Sequence, residues 1–302
     1  MSSGIVIGVY RGGCEAVEGA RVVELRLVGR HAQDEVQLAV GDEVTFDADK
    51  GIVLEVAERR TELSRLRPQG GRRRRDPSGR KLIAANMDRL AIVCAVREPP
   101  FRSGLVDRFL LAAVAGGLDA ILIVNKIDLP GADPLPEEIR AYERVLPVLA
   151  VSASERRGLD ALRDQLAGRR TVFAGHSGVG KSSLLNALEP LLRLETGEMS
   201  RKSGKGRHTT THAVWLELGN GAVAVDTPGI RELATGPVDP DLLDRAYPDV
   251  LAPAGECRFR DCRHLREPDC AVRAAVERGE VSAARLQGYH KLIAELAELD
   301  AD

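Results

Sequence analysis

No apolar run in this chain approaches the roughly 20 residues needed to span a bilayer, so no membrane-spanning helix is expected. The N-terminal stretch "MSSGIVIGVYRGG" lacks a basic region followed by an apolar core and a cleavage site. No signal peptide and a cytoplasmic location are therefore expected. Neither sign of charge is in excess: 43 Lys and Arg against 45 Asp and Glu leave a net charge of −2. The chain as a whole is thus not a basic nucleic-acid binder. Cysteine is scarce, with five in 302 residues. No internal repeat is present, and the only low-complexity tract is the run of arginines Arg72–Arg75.

At 302 residues, two or three domains are expected. The hydrophobic content of 44% is enough for packed cores. The first segment, residues 1–77, holds short alternating runs such as "GIVIGVY", "ARVVELRLV", "VQLAVGDEVTF" and "GIVLEVAER". Several short strands in so few residues predict a small all-β barrel; an OB-fold fits, and an SH3-like barrel remains open. "RPQGGRRRRDPSGRK", residues 67–81, has the composition of a loop or linker. Residues 59–81 carry ten Lys and Arg, a local basic patch that can bind phosphate backbones.

Residues 78–234 alternate strand and helix signals, which predicts a parallel, doubly wound α/β sheet. "RLAIVCAV", "AILIVN", "PVLAVSA" and "RTVFAG" read as strands. Leu105–Ala115 and Pro136–Val145 read as helices, with a shorter one from Gly158. "HAVWLEL" and "AVAVDTPG" are joined by Gly219-Asn220-Gly221, short enough for an antiparallel hairpin. Residues 235–302 read as a helical segment with a cysteine cluster. Its last helix runs from a Ser282 cap to Leu299, with Leu286, Tyr289, Leu292, Ile293 and Leu296 on one face.

Gly175-His176-Ser177-Gly178-Val179-Gly180-Lys181-Ser182 matches G-x-x-x-x-G-K-S between a strand and a helix, with Ser183 following. Such glycines let backbone N–H groups converge on a phosphate at a helix N-terminus. Lys181 is expected to reach the β- and γ-phosphates and Ser182 to ligate Mg²⁺. This motif alone leaves ATP and GTP open. Asn125-Lys126-Ile127-Asp128 selects guanine: a carboxylate at Asp128 accepts from the ring N–H and exocyclic amine, which adenine does not offer in that arrangement. Asn125 can hold the loop and contact the base edge, and the Lys126 stem can lie on the ring. Ser152-Ala153 follows the next strand, where a backbone N–H suits the guanine carbonyl.

Asp226-Thr227-Pro228-Gly229 ends the last strand, placing Asp226 toward Mg²⁺ and the Gly229 N–H toward the γ-phosphate. The intervening polar run supplies Thr209, Thr210 and Thr211, with Thr210 or Thr211 expected as the second magnesium ligand. Ile230 stands where many such enzymes carry a glutamine that orients water. His208 is then the nearest group able to do so, with a solvent-exposed loop histidine as the alternative reading. Cys257-x₄-Cys262-x-His264-x₅-Cys270 supplies three thiolates and an imidazole, a set suited to one tetrahedral structural Zn²⁺. Cys14 and Cys94 lie apart and read as small core residues.

The base-reading tetrad precedes the phosphate loop, the reverse of the ordinary order. Joining the old termini of such a sheet and cutting it after "DTPG" preserves every strand's neighbours. With "NKID", "SA", "GHSGVGKSS", "GRHTTT", "DTPGI" and the Cys-Cys-His-Cys cluster in this order, nearly the whole chain resembles the circularly permuted ribosome-biogenesis GTPases of the RsgA (YjeQ) type. That resemblance implies GTP hydrolysis to GDP and phosphate, stimulated by the small ribosomal subunit during its late maturation. It further implies an N-terminal OB domain, a C-terminal zinc domain and a catalytic position at His208. His176 stands where relatives are expected to carry glutamine. The basic run Arg72, Arg73, Arg74 and Arg75 then has rRNA as its partner, and a monomer is expected. The second reading is a GTP-dependent RNA-binding switch acting on a non-ribosomal RNA or protein.

Overall fold

The computed structural model describes residues 1–28, 37–66, 80–192, 194, 213–227 and 240–299. The first strands are β1 (Ser2–Tyr10), β2 (Gly13–Glu18), β3 (Arg21–Arg26), β4 (Glu43–Asp47) and β5 (Ile52–Val56). They close a barrel in the order β1-β2-β3-β5-β4, the five-stranded OB arrangement. Closure depends on β1, whose first half pairs with β4 and whose second half pairs with β2 across a bulge between Val6 and Gly8. Alternation places Cys14 and Ala16 inside and Glu15 outside. Val6, Leu25, Val44, Phe46 and Val53 fill the remaining interior. Strand β2, within "GGCEAVEG", goes beyond the runs read from the sequence.

Of residues 67–81, read as a loop or linker, Arg80 and Lys81 belong to a strand and the others lie outside the described residues. β6 (Glu62–Leu66) and β7 (Arg80–Ala85) pair antiparallel, Leu66 opposite Arg80, so residues 67–79 connect two strands of one hairpin. Pairing of strands so far apart leaves no local signal, and the Gly, Pro and Arg content between them masks it. The hairpin is welded to the barrel. Gly41 has φ +94°, and a Cβ there would stand 2.0 Å from the Ala85 carbonyl oxygen, so only glycine fits. Asn86 accepts from the Arg60 N–H at 2.9 Å and donates to the Gly41 carbonyl at 3.0 Å.

The α/β sheet has the order β10-β9-β8-β11-β13-β12. Its strands are β8 (Arg89–Ala95), β9 (Asp119–Asn125), β10 (Val148–Ala150), β11 (Arg170–Ala174), β12 (Val214–Glu217) and β13 (Val223–Asp226). All neighbours are parallel except β12 and β13, which form the expected hairpin. β8 is buried along its entire length, as a strand covered on both faces must be. One face packs under α1 (Ser103–Gly116) through Leu90, Ile92, Phe109 and Leu110. The other packs under α3 (Leu159–Leu166) and α4 (Lys181–Leu188) through Ile121, Ile123, Leu162, Phe173 and Leu184.

The helix expected over Pro136–Val145 is instead one α-turn, α2 (Glu137–Arg140), followed by a 3₁₀ turn at Ala141–Arg144. The tighter turn directs both Ile139 and Tyr142 into the core. The C-terminal domain comprises α5 (Pro240–Ala246), α6 (Pro248–Leu251), α7 (Ala271–Glu277) and α8 (Ala283–Leu299). Leu243, Tyr247, Val250, Val272, Leu286, Tyr289 and Leu292 form its core, which takes in Leu111 of α1. The side chain of Leu296 lies outside the described residues. Cys14 and Cys94 are buried in separate cores, as expected. Among the described residues, no helix is long and apolar enough to cross a membrane.

A candidate nucleotide site and a candidate metal centre

Four of the sequence motifs meet at one edge of the α/β sheet, beyond the C-terminal ends of β9, β10, β11 and β13. This is where open parallel sheets present their ligand sites. After β11, Gly175, Gly178 and Gly180 have φ values of +152°, +86° and +92°. A Cβ on Gly175 would lie 2.1 Å from the Val93 carbonyl oxygen, so the loop can pass β8 only with glycine there. Lys181 opens α4 and turns back, its Nζ 2.7 Å from the Gly175 carbonyl oxygen and 3.4 Å from that of His176. Ser182 is half-buried and Ser183 exposed, while Val179 is buried against the sheet. His176 Nδ1 lies 2.8 Å from the Ser177 carbonyl oxygen.

Asn125 joins three of the motifs. Its Nδ2 donates to the Val179 carbonyl at 2.9 Å, and its Oδ1 accepts from the Ala153 N–H at 3.1 Å. The end of β9, the glycine loop after β11 and the Ser152-Ala153 turn are thereby one hydrogen-bonded unit. Lys126 has φ +65°, and its Nζ donates to the Glu98 carbonyl in the loop between β8 and α1. Motif spacing does not reveal Glu98, because its contribution is a backbone carbonyl. The Asp128 carboxylate is half-exposed, free to meet an incoming base, and its Oδ1 accepts from the Ser152 hydroxyl at 2.6 Å. That hydroxyl holds the Asp128 pKa below the ordinary carboxylate value. The sequence directs attention to backbone N–H groups at Ser152-Ala153. Here Ser152 N–H bonds the Arg157 carbonyl and Ala153 N–H bonds Asn125, so the Ser152 side chain is the added feature.

Asp226 ends β13 beside Phe173 of β11. Its Oδ1 is buried and lacks a hydrogen-bond partner among the described residues. Burial raises its pKa, and the Lys181 charge opposes that shift. An orphaned buried carboxylate oxygen facing the phosphate-loop lysine fits a divalent cation or its bound water. Thr227, one residue on, donates its hydroxyl to the Phe173 carbonyl at 2.9 Å, fixing the strand end. His208, Thr209, Thr210, Thr211, Gly229, Ile230 and Arg72–Arg75 lie outside the described residues.

The second cluster lies in the C-terminal domain. Ligand atoms of Cys257, Cys262, His264 and Cys270 all stand within 4.8 Å of one another, a group able to hold a metal ion. Cys257 Sγ is 3.6 Å and Cys270 Sγ 3.4 Å from His264 Nδ1, and the two sulfurs are 4.0 Å apart. Ligands about 2.0–2.3 Å from a tetrahedral centre stand about 3.5–3.8 Å from each other, a range that these three separations bracket. Burial lowers the His264 pKa, favouring the neutral imidazole that ligates. Glu267, inside the Cys262–Cys270 loop, is an addition to the sequence reading. Its carboxylate accepts from the N–H groups of Arg263, Leu265 and Arg266 at 2.8–2.9 Å. Together with its own N–H, these bonds hold its carboxyl down at about 2.

Residues 56–236 match the family model described as RsgA GTPase. The small ribosomal subunit biogenesis GTPase RsgA of Chlorobaculum tepidum is 40% identical over 86% of this chain and 86% of its own. The protein of the same description from Geobacillus kaustophilus is 37% identical over 99% of this chain and 98% of its own. Among solved structures, YjeQ from Thermotoga maritima aligns with a TM-score of 0.75 and 29% identity, covering 98% of both chains. YloQ, described as a circularly permuted GTPase, aligns with a TM-score of 0.70 and 28% identity, over 99% of this chain and 96% of its own.

Proposed function

The chain belongs to the RsgA GTPase family, and we propose that it binds GTP across the β9–β13 edge of its sheet and hydrolyses it to GDP and phosphate on the small ribosomal subunit. The subunit stimulates turnover, and the step falls in late subunit maturation. The observation that carries the reading is Asn125, which ties the guanine-selecting strand end to the phosphate loop and to the Ser152-Ala153 turn.

Roles follow from chemistry. Asp128 accepts from the guanine ring N–H and amine, and Ser152 aims and charges it. N–H groups of Gly175 to Lys181 surround the β-phosphate, and the Lys181 ammonium meets the β- and γ-phosphates. Ser182, Asp226 and Thr210 hold Mg²⁺, which when bound neutralises charge developing between those phosphates. The Gly229 N–H reads the γ-phosphate. With Ile230 unable to orient water, His208 takes that role, so His208→Ala lowers the stimulated rate. Cys257, Cys262, His264 and Cys270 hold a structural Zn²⁺, whose binding energy contributes to folding the small domain. Arg72–Arg75, carried between β6 and β7, contact rRNA phosphates. The protein acts as a cytoplasmic monomer.

The test is GTP turnover with purified small subunits, large subunits and neither. Acceleration by small subunits alone is expected. Equal rates in all three would sink the ribosomal reading, and preferential ATP binding would sink the nucleotide assignment.

A further inference from the structure

We propose that Tyr142 is a positioning residue for retention of the guanine nucleotide, and that through it the docked C-terminal domain sets the position of Lys126. The inference rests on the nucleotide reading above and extends it to a part of the molecule remote from the motifs.

Tyr142 lies in the 3₁₀ turn and is 1% exposed. On one side it meets the C-terminal domain. The Arg285 guanidinium of α8 sits between two aromatic rings, 4.8 Å from the Tyr142 centroid and 4.2 Å from that of Tyr247. Arg285 forms ion pairs with Asp107 of α1 and Asp249 of α6, and donates to the Ala246 carbonyl at 3.0 Å. Arg285 and Asp107 are each 1% exposed at the side chain. A buried pair of this kind adds little net stability over an apolar contact. It does, however, penalise any misdocking that strands one desolvated charge, so the docked geometry is tightly specified.

On its other side Tyr142 meets the route to the nucleotide edge. Its hydroxyl is 2.8 Å from Asp107 Oδ1 and 3.2 Å from the Ser103 carbonyl oxygen, at the first residue of α1. Its ring stands edge-on to Phe101, centroids 6.1 Å apart at 75°. Phe101 belongs to the short loop between β8 and α1, and its N–H bonds the Val96 carbonyl. That loop presents the Glu98 carbonyl to Lys126 Nζ. Contacts join Arg285 to Tyr142 and Tyr142 to Phe101 and Ser103, the backbone of the loop carries the link from Phe101 to Glu98, and Glu98 meets Lys126. A partner that shifts the C-terminal domain shifts the loop that holds Lys126, and so the rate at which guanine nucleotide leaves.

Spatial continuity is not coupling, and a double-mutant cycle measures the difference. In the full-length, metal-loaded chain, Tyr142→Phe keeps both ring contacts and removes the hydroxyl. Release of a fluorescent GDP analogue should quicken about fivefold, the low end of typical coupling between sites. Single-turnover cleavage of bound GTP should stay within about twofold, a split that general destabilisation does not produce. Phe101→Leu should act in the same direction. With Lys126→Ala already present, Tyr142→Phe should add nothing to the release rate. Unaltered release in both folded variants, or full additivity with Lys126→Ala, overturns the inference while leaving the nucleotide reading intact. Failure of the unaltered chain to bind GDP overturns both.

Discussion

The Asn125 side-chain amide donates to the Val179 carbonyl at 2.9 Å, joining the end of β9 to the glycine loop that follows β11. The two residues are 54 apart in the chain, and the bond is buried. A Cβ on Gly180 would stand 2.4 Å from the same Nδ2, so the loop closes only because that position is glycine. Reversal of the ordinary motif order leaves this junction intact, because it depends on sheet neighbours and not on chain order.

Asn125→Ala strands the buried Val179 carbonyl and frees the Ala153 turn. Loss of a buried partner costs about 1–3 kcal/mol, so GDP affinity should fall by about tenfold or more and the denaturant midpoint should drop. Calorimetric titration and urea unfolding check the two effects. Unchanged GDP affinity would show that the junction is incidental to binding.

Asp128 should give a pH signature that depends on Ser152. Its pKa is depressed chiefly by the Ser152 hydroxyl. In the proposed complex the ionised form accepts the guanine N–H groups. Its contribution is therefore complete above the ordinary carboxylate value of about 3.9 and fades only as pH falls through the depressed value. Ser152→Ala removes that depression and moves the loss to higher pH. GDP affinity measured from about pH 6 down to about pH 3, which brackets the ordinary carboxylate value, should decline earlier in the variant. Profiles that superimpose after normalisation would rule out this role for the hydroxyl.

The metal centre should hold one Zn²⁺ per chain, and Cys270→Ser should abolish it, both read by elemental analysis. Glu267 gathers three N–H groups of the loop that presents Cys262 and His264. Supporting contacts of this kind are typically worth 10–100-fold in metal affinity, so Glu267→Gln should speed metal loss to a chelator by about tenfold. Equal rates of loss would mean that the loop is set by the thiolates alone.

Legibility in the sequence tracked locality. The phosphate loop, the Asn125–Asp128 tetrad and the Cys257–Cys270 cluster are contiguous and sit at element ends, where few residues specify both backbone and chemistry. The barrel was readable from alternation, although β2, set among glycines and glutamates with only Ala16 and Val17 as adjacent apolar residues, did not stand out. What escaped is non-local. Leu66 and Arg80 pair across a stretch whose composition speaks only of a loop. Tyr142 reads as one more apolar position in a helix that the structure breaks in two. Asp107 and Arg285 are 178 residues apart, and each alone is indistinguishable from a surface charge until the fold buries both.

That burial sets two ordinary effects against each other at Gly288, inside α8. Helix propensity favours alanine over glycine by about 1 kcal/mol, so Gly288→Ala on an exposed face would stabilise the protein. Here a Cβ would lie 2.4 Å from Asp107 Oδ2 and 3.2 Å from the Tyr247 hydroxyl. The first contact is with a carboxylate already committed to Arg285 and Tyr142, which cannot retreat without breaking a desolvated ion pair. Overpacking of this kind costs about 1–3 kcal/mol before any loss from the pair, so packing outweighs propensity. Gly288→Ala should lower the unfolding temperature by several degrees, and Gly288→Ala combined with Asp107→Ala should recover little, because Arg285 is then left facing Asp249 alone. An unfolding temperature raised by the single substitution would show that α8 stands further from α1 than the Asp107–Arg285 contact requires.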